Sequence, residues 1–374
     1  MRIAVTCGGT GGHVFPGVAA ALAMRAKGHE VALVLSGRSV EGEAPAGWDG
    51  AVLRVAIPRL SWRRPASFIS MARACFAAVA ALRRFRPAVL LAMGSYTSFP
   101  PVLAARLLRI PVVLHEANAI PGKAVSTLSR MAVKVCIAFD EAARHLPKSV
   151  AVVNTGLPVR PGIAGAAAGD FADPARFTVL VMGGSQGSRA VNQAVAGAVA
   201  ILDSEPDQAA ALRVVHLAGR GNEDEVKGAY AALRDIPVEV LGFSDRMGAL
   251  YAAADFCISR AGAASCFELC LCGVPALLIP LPKLANDHQT ANAKAMRALG
   301  ACETMAQGAA TPENLAAAVR RIRGDATARA AMRAALLARA RADAADALAD
   351  VVIACAAAQA SRAGGEPRRG RVWP

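Results

Sequence analysis

The chain has 374 residues, with 42 Lys and Arg against 28 Asp and Glu for a net charge of +14, and nine cysteines. At roughly 150 residues per domain this length suggests two domains that bury their own cores, and 55% apolar content excludes disorder for the bulk of the chain. An aromatic share of 5% is too small for the stacking platforms that hold single-stranded nucleic acid.

In chain order, a short apolar run from Arg2 to Cys7 stops at Gly8-Gly9-Thr10-Gly11-Gly12-His13, and a helical pattern follows from Pro16 to Gly28. Val31 to Leu35 reads as a strand, Pro65 to Phe85 as a basic helix, and Ala88 to Met93, Val112 to Leu114 and Val133 to Ile137 as further strands. Short apolar strands alternating with helices predict a parallel sheet covered on both faces. The unit then recurs. Phe177 to Met182 runs into Gly183-Gly184-Ser185-Gln186-Gly187 and a helix, followed by strands at 214–217, 238–241, 256–259 and 276–279. The joint falls between Pro158 and Pro174, in linker-like composition. Thr311-Pro312-Glu313 opens a helical region reaching Ala360, and a basic tail expected to be disordered closes the chain. The expected division is 1–160, with a helix at about 340–362 packing back on it, then 161–339, then the tail at 363–374.

The charge is uneven: residues 1–160 carry 20 basic and 7 acidic side chains, net +13, whereas residues 161–374 carry 22 and 21, net +1. Between Asp49 and Glu116 there is no acidic residue at all. Such a face suits a solvated surface or an extended anionic partner, a nucleic acid or a membrane. The cysteines are scattered through apolar runs such as Val135-Cys136-Ile137, as reduced buried thiols are, which points to the cytoplasm. The amino-terminal run lacks the apolar stretch of a signal peptide, and no segment reads as a membrane-spanning helix, so any membrane contact is expected to be peripheral.

A glycine loop between strand and helix presents backbone N–H groups at the positive end of a helix dipole, where phosphates and developing anions bind. Neither loop here is a dinucleotide fingerprint or a P-loop, and each taken alone could equally be a tight turn. His13, at the mouth of the first loop, is placed to accept a proton from a hydroxyl nucleophile. His115 and Glu116 follow a strand at the carboxyl edge of the sheet, where ligands of α/β folds bind. In the second half, Ser259-Arg260-Ala261-Gly262-Ala263-Ala264-Ser265-Cys266-Phe267-Glu268 again follows a strand and opens a helix. Glu268 reads either as an acceptor for ribose hydroxyls or as a charge favoured by the dipole. The polar cluster Asn286 to Asn292 could grip sugar hydroxyls or simply be solvated.

These motifs, together with Met93-Gly94-Ser95-Tyr96, His115-Glu116-Ala117-Asn118, Gly156-Leu157-Pro158-Val159-Arg160 and Asp287-His288-Gln289-Thr290-Ala291-Asn292-Ala293, occur in an order and spacing that resembles the MurG family of peptidoglycan glycosyltransferases over essentially residues 1 to 350. The resemblance implies a GT-B fold, two Rossmann-like parallel-sheet α/β domains facing a cleft. It further implies inverting β-1,4 transfer of N-acetylglucosamine from UDP-GlcNAc to the 4-hydroxyl of the MurNAc unit of lipid I, giving lipid II, without cofactor or metal. By the resemblance, the donor is held by Thr10, Gly11, Gly12, Asn118, Arg160, Ser185, Ser244, the run Ala263, Ala264, Ser265, Cys266, Phe267 and Glu268, and Gln289. Glu268 would hold the ribose, Ser244 the uracil, and Gln289 the GlcNAc hydroxyls. His13 matches the acceptor-side residue, with Tyr96, Glu116 and Asn192 beside it. Leu157, Ser95, Ala117 and Ala261 depart from the family pattern, where asparagine, glycine, glutamine and serine are usual.

No Asp-x-Asp element follows a strand edge. Stabilisation of leaving UDP is therefore expected from loop N–H groups, the helix beginning near Ala263, and Arg260 or Arg160, with His13 or Glu116 as base. Trp62, Phe68, Ile69, Met71, Phe76, Val79 and Leu82 interleave with arginines between 59 and 86, as an interfacial segment would, which suits docking to the anionic cytoplasmic face of the plasma membrane. Two other readings remain. One is another GT-B transferase with a lipid or natural-product acceptor. The other is a nucleic-acid-binding protein, which leaves both glycine loops and the 287–293 cluster without a purpose, so nucleic acid is not expected as a partner.

Overall fold

The computed structural model describes residues 1–9, 11–37, 47–58, 66–184, 187–282 and 287–364. The chain divides into two compact units, Met1–Arg160 joined by the chain from Asp343 onward, and Pro161–Ala342.

The first unit is built on a seven-stranded sheet in the order β3-β2-β1-β4-β5-β6-β7, all neighbours parallel. Its strands are β1 (Arg2–Thr6), β2 (Glu30–Leu35), β3 (Ala51–Arg54), β4 (Val89–Ala92), β5 (Val112–Glu116), β6 (Lys134–Ile137) and β7 (Val152–Asn154). Alternation within β1 sets the two faces. Ile3 and Val5 pack with Leu348 and Val352 of the Ala344–Gly364 helix, while Ala4 joins Ala74, Ala78 and Leu82 of the Ala66–Phe85 helix on the other side. Both sides are covered, so the central strands are apolar except at their ends, where Thr6, His115 and Glu116 stand.

The second unit carries a six-stranded parallel sheet, β10-β9-β8-β11-β12-β13. Its strands are β8 (Phe177–Met182), β9 (Leu212–Leu217), β10 (Val238–Leu241), β11 (Phe256–Ser259), β12 (Ala276–Leu278) and β13 (Glu303–Thr304). One core joins these strands to the Arg189–Asp203 and Pro312–Gly324 helices through Val191, Val195, Val199, Leu315, Val319 and Ile322.

In both sheets the strand order reverses beside the first strand, between β1 and β4 and between β8 and β11. Connections on either side of that point leave in opposite directions and open a crevice at the carboxyl edge, where α/β sheets take ligands. Both glycine loops stand there.

The strands that sequence pattern does not reveal, β3, β7 and β13, are short edge strands with half-exposed side chains, so they lack the apolar run that marks the inner ones. The alanine-rich carboxyl-terminal region is helical as expected, in three helices: Pro312–Gly324, Ala326–Arg339 and Ala344–Gly364. Asp325 makes the first break by capping the next helix, its Oδ1 accepting from the Ala328 N–H at 2.8 Å. The basic tail lies outside the described residues.

Candidate functional site

The residues singled out by sequence stand at or after the carboxyl ends of strands in both sheets. In the first unit the loop after β1 meets the turn after β4. The Thr97 hydroxyl, fully buried, donates to the Gly8 carbonyl at 2.8 Å, and the Ser98 hydroxyl donates to the Gly94 carbonyl. Gly9 has φ +114°, and a Cβ there would lie 2.5 Å from the Ser95 Oγ, so only glycine fits. Ser95 stands at φ +68°, in the left-handed region that favours glycine. A Cβ on Gly94 would come within 3.6 Å of the His13 ring, so the turn closes around His13, which is half-buried in the first turn of the Gly11–Ala26 helix. Tyr96 opens the short turn Tyr96–Ser98 and is also half-buried. Gly11 and Gly12 begin the helix itself. Thr10 lies outside the described residues.

Glu116, one of the two expected bases, is buried at the end of β5. Its Oε1 accepts from the backbone N–H and the side-chain Nδ2 of Asn118 at 2.9 and 3.0 Å, and its Oε2 from the Gly122 N–H at 2.9 Å. Burial pushes its carboxyl up while these bonds pull it back. Glu116 is therefore the organiser of the 116–122 loop and holds Asn118 in place. Its neighbour His115 is fully buried, and Nε2–H donates to the Gly156 carbonyl at 2.9 Å, tying β5 to the segment that ends in Arg160. Burial lowers its pKa to about 4, so the imidazole is neutral. The Arg160 guanidinium lies 4.8 Å from the centre of the Phe15 ring. The departures Leu157 and Ala117 are both buried, at 1% and 6% exposure, so each extends an apolar interior.

In the second unit Gly183 and Gly187 are closed in by backbone. A Cβ on Gly187 would stand 2.1 Å from the Ala218 carbonyl oxygen. Ser188 caps the Arg189–Asp203 helix, its Oγ accepting from the Val191 N–H at 3.4 Å. Ser185 lies outside the described residues. Arg260 follows β11 and is 4% exposed. Its guanidinium donates to the Ile279 carbonyl at 3.0 Å, to the Ser188 Oγ at 2.7 Å and to the Gln307 Oε1 at 2.7 Å. Arg260, expected to offer charge to the leaving group, thus also links the glycine loop's exit to the residue after β12. These three bonds fix the plane of the guanidinium fork inside the unit.

Asn192, expected on the acceptor side, is bonded within the second unit. It belongs to the second unit, is buried, and spends its amide inside: Nδ2 donates to the Ala218 carbonyl at 2.9 Å and Oδ1 faces His216 Nε2 at 3.2 Å. Because the amide orientation is set by the Ala218 contact, His216 donates through Nε2 and accepts from the Tyr230 hydroxyl at Nδ1, 2.8 Å away. Burial lowers the His216 pKa to about 4.

The Ala263–Cys272 helix presents the half-buried Ala264 and Ser265 at its amino end, while Ala263, Cys266 and Phe267 turn inward. From this run Ala264 and Ser265 are the residues that keep partial exposure. Ala261 is buried, and its carbonyl accepts from the Asn292 Nδ2 at 3.1 Å. Glu268, one turn further on, is 7% exposed and its Oε2 accepts from the Tyr251 hydroxyl at 2.8 Å. Ser244 is nearly buried, with its Oγ accepting from the Arg246 N–H at 3.1 Å, which folds the turn after β10. Gln289 sits in the first turn of the His288–Ala298 helix and its Oε1 accepts from the Leu281 N–H at 2.9 Å.

Sequence reasoning missed the supporting residues Thr97, Ser188, Tyr251 and Gln307. Each lies far along the chain from the group it holds, and spacing carries no signal for such pairs.

Taken separately, the first unit carries a histidine in the first turn of the helix that follows its glycine loop, and the second unit carries a buried carboxylate and a helix amino end beside its own loop. Residues 3–137 match the glycosyltransferase family 28 N-terminal domain and residues 178–348 its C-terminal domain. The UDP-N-acetylglucosamine--N-acetylmuramyl-(pentapeptide) pyrophosphoryl-undecaprenol N-acetylglucosamine transferase of Symbiobacterium thermophilum is 36% identical over 99% of this chain and 100% of its own length. The protein of the same name from Syntrophotalea carbinolica is 37% identical over 85% of this chain and 89% of its own. The crystal structure of Acinetobacter baumannii MurG superposes with a TM-score of 0.75 at 28% identity, covering 95% of this chain and all of that one. By this identity and coverage, the chain belongs to the MurG family of glycosyltransferases.

Proposed function

We propose that this protein transfers N-acetylglucosamine from UDP-GlcNAc to the 4-hydroxyl of the MurNAc unit of lipid I, with inversion, to give the β-1,4 linkage of lipid II in peptidoglycan synthesis. The observation that carries the reading is the pair of glycine loops, each at the switch point of a parallel sheet, one ending in His13 and the other accompanied by the Tyr251-held Glu268.

In this reaction the acceptor oxygen forms a bond to the sugar C1 while the C1–oxygen bond to UDP breaks and the electron pair leaves with the diphosphate. The acceptor proton goes to His13. Charge growing on UDP meets backbone N–H groups at helix ends, which are already oriented and need no rearrangement. Glu268 takes the ribose hydroxyls, Ser244 the uracil through its turn, and Gln289 and Asn118 the sugar; Arg160 faces the diphosphate. Glu116 acts through Asn118.

The acceptor is a polyprenyl pyrophosphate, and the +13 excess of the first 160 residues suits an anionic membrane surface. Phe68, Ile69 and Phe76 of the Ala66–Phe85 helix are exposed at 42%, 66% and 76% beside the exposed Arg73, Arg83 and Arg84. Leu82 instead faces the core and Met71 and Val79 pack partly against it, so the docking face is narrower than the sequence pattern. Trp62, Arg63 and Arg64 lie outside the described residues. Among the described residues no helix is long and apolar enough to cross a membrane. The proposed place of work is therefore the cytoplasmic face of the plasma membrane, held peripherally.

Mass-spectrometric detection of lipid II from UDP-GlcNAc and a short-chain lipid I analogue tests the activity, with UDP-GalNAc as the control donor. Turnover with neither donor rejects it. His13→Ala should lower kcat by about 10²–10⁴ with UDP affinity retained, and near-normal kcat would remove His13 as base.

A further inference from the structure

The last residue of the first unit, Arg160, is held by an aromatic ring from the first glycine-loop helix. Its guanidinium carbon stands 4.8 Å from the centre of the Phe15 ring, within the range where a cation is drawn to an aromatic face, and its Nε is out of reach of solvent. Phe15 is only half-buried, so its ring is not spent on filling the interior; Val14 and Val18 do that. Gly11 completes the arrangement. A Cβ there would meet Phe15 Cε2 at 3.1 Å, so the bare glycine lets the ring lie along the first turn of its own helix. The guanidinium is thereby brought to the amino end of the Gly11–Ala26 helix, where backbone N–H groups already favour negative charge.

We infer that Phe15 is a positioning residue for the donor diphosphate: its ring fixes the Arg160 guanidinium at the amino end of the Gly11–Ala26 helix, so that the cation meets phosphate without first having to be ordered. The inference rests on the reading of Arg160 as a diphosphate contact. A long flexible side chain loses rotamer freedom when it binds, and a ring that has already restricted it removes part of that cost.

Calorimetric titration of UDP and of uridine, which lacks the diphosphate, separates this role from a general structural one. Phe15→Leu removes the π face and keeps an apolar side chain. It should weaken UDP binding roughly three- to tenfold and leave uridine binding as it is, while Phe15→Tyr, which keeps the ring, restores UDP affinity. In an Arg160→Gln background Phe15→Leu should add nothing further, because the two act as one. Equal losses for UDP and uridine, additive losses in the double variant, or unaltered UDP affinity in Phe15→Leu alongside a loss in Arg160→Gln each overturn the inference while leaving the donor reading in place. Unaltered UDP affinity in Arg160→Gln takes Arg160 out of the donor site and overturns both.

Discussion

The Tyr251 hydroxyl donates to the Glu268 carboxylate at 2.8 Å, and both groups are buried in the second unit. Burial and the neighbouring carboxylate push the Tyr251 phenol well above its ordinary range, so it stays a donor at any working pH. Removing it in Tyr251→Phe leaves a buried carboxylate with one partner fewer, a cost of about 1–3 kcal/mol. The expected outcome is a rise of about tenfold or more in the KM for UDP-GlcNAc with a smaller change in kcat. Steady-state kinetics checks it, and an unaltered KM would mean that Tyr251 does not orient Glu268 for the donor.

Arg260 gives a contrasting case. Its fork joins Ser188, Gln307 and the Ile279 carbonyl, and a lysine keeps the charge but not the geometry. Arg260→Lys should destabilise the second unit by about 2–3 kcal/mol and weaken UDP binding through the loosened helix cap. Thermal unfolding and UDP titration measure the two effects. Full stability with lost UDP affinity would instead place the charge on the ligand.

Two histidines set a pH dependence of stability. Burial holds His115 and His216 neutral, each with a pKa lowered to about 4. The unfolded chain binds their protons near pH 6.5, so the stability they confer is complete above that value and is lost as pH falls from about 6.5 to 4. Each contributes on the order of 3 kcal/mol to that loss. Comparing unfolding midpoints of the wild type and His216→Gln across this window should show a shallower fall for the variant. Parallel curves would contradict the assignment.

Ser95 occupies a left-handed conformation at φ +68°. Glycine adopts it without crowding, although it also gains freedom in the unfolded chain. Ser95→Gly should therefore stabilise by about 1 kcal/mol, a rise of roughly 2–4 °C in the unfolding midpoint of a unit this size. Calorimetric melting decides it, and a fall would show that contacts of the Ser95 side chain outweigh the strain.

Membrane docking is tested by co-sedimentation with anionic vesicles. Arg83→Glu with Arg84→Glu should reduce binding by about 1 kcal/mol for each charge removed, and more at low salt. Phe76→Ser, at a position 76% exposed, should weaken it further without affecting folding. Unchanged binding in all three would move the docking surface elsewhere.

The parallel sheets were legible because apolar runs such as Val31–Leu35 and Phe177–Met182 are buried on both faces and leave no polar alternation. His13, Glu268, Gln289 and both glycine loops were legible because each stands immediately after a strand or within the first turns of a helix, a local property of the chain. Their supporting partners were not. Thr97 reaches Gly8 across 89 residues, Arg260 reaches Ser188 across 72, and Tyr251 reaches Glu268 across 17. Sequence by itself determined which residue types occupy the strand ends, and through them the class of chemistry. Tertiary structure alone decided whether a polar side chain is offered to a ligand or used up inside. Glu116, Asn192, Arg260 and Glu268 have the residue types of a site, and each is also buried and bonded to partners in its own unit that no spacing foretells. A buried polar group must find partners wherever the fold brings them, and those partners are set by strand pairing and not by distance along the chain.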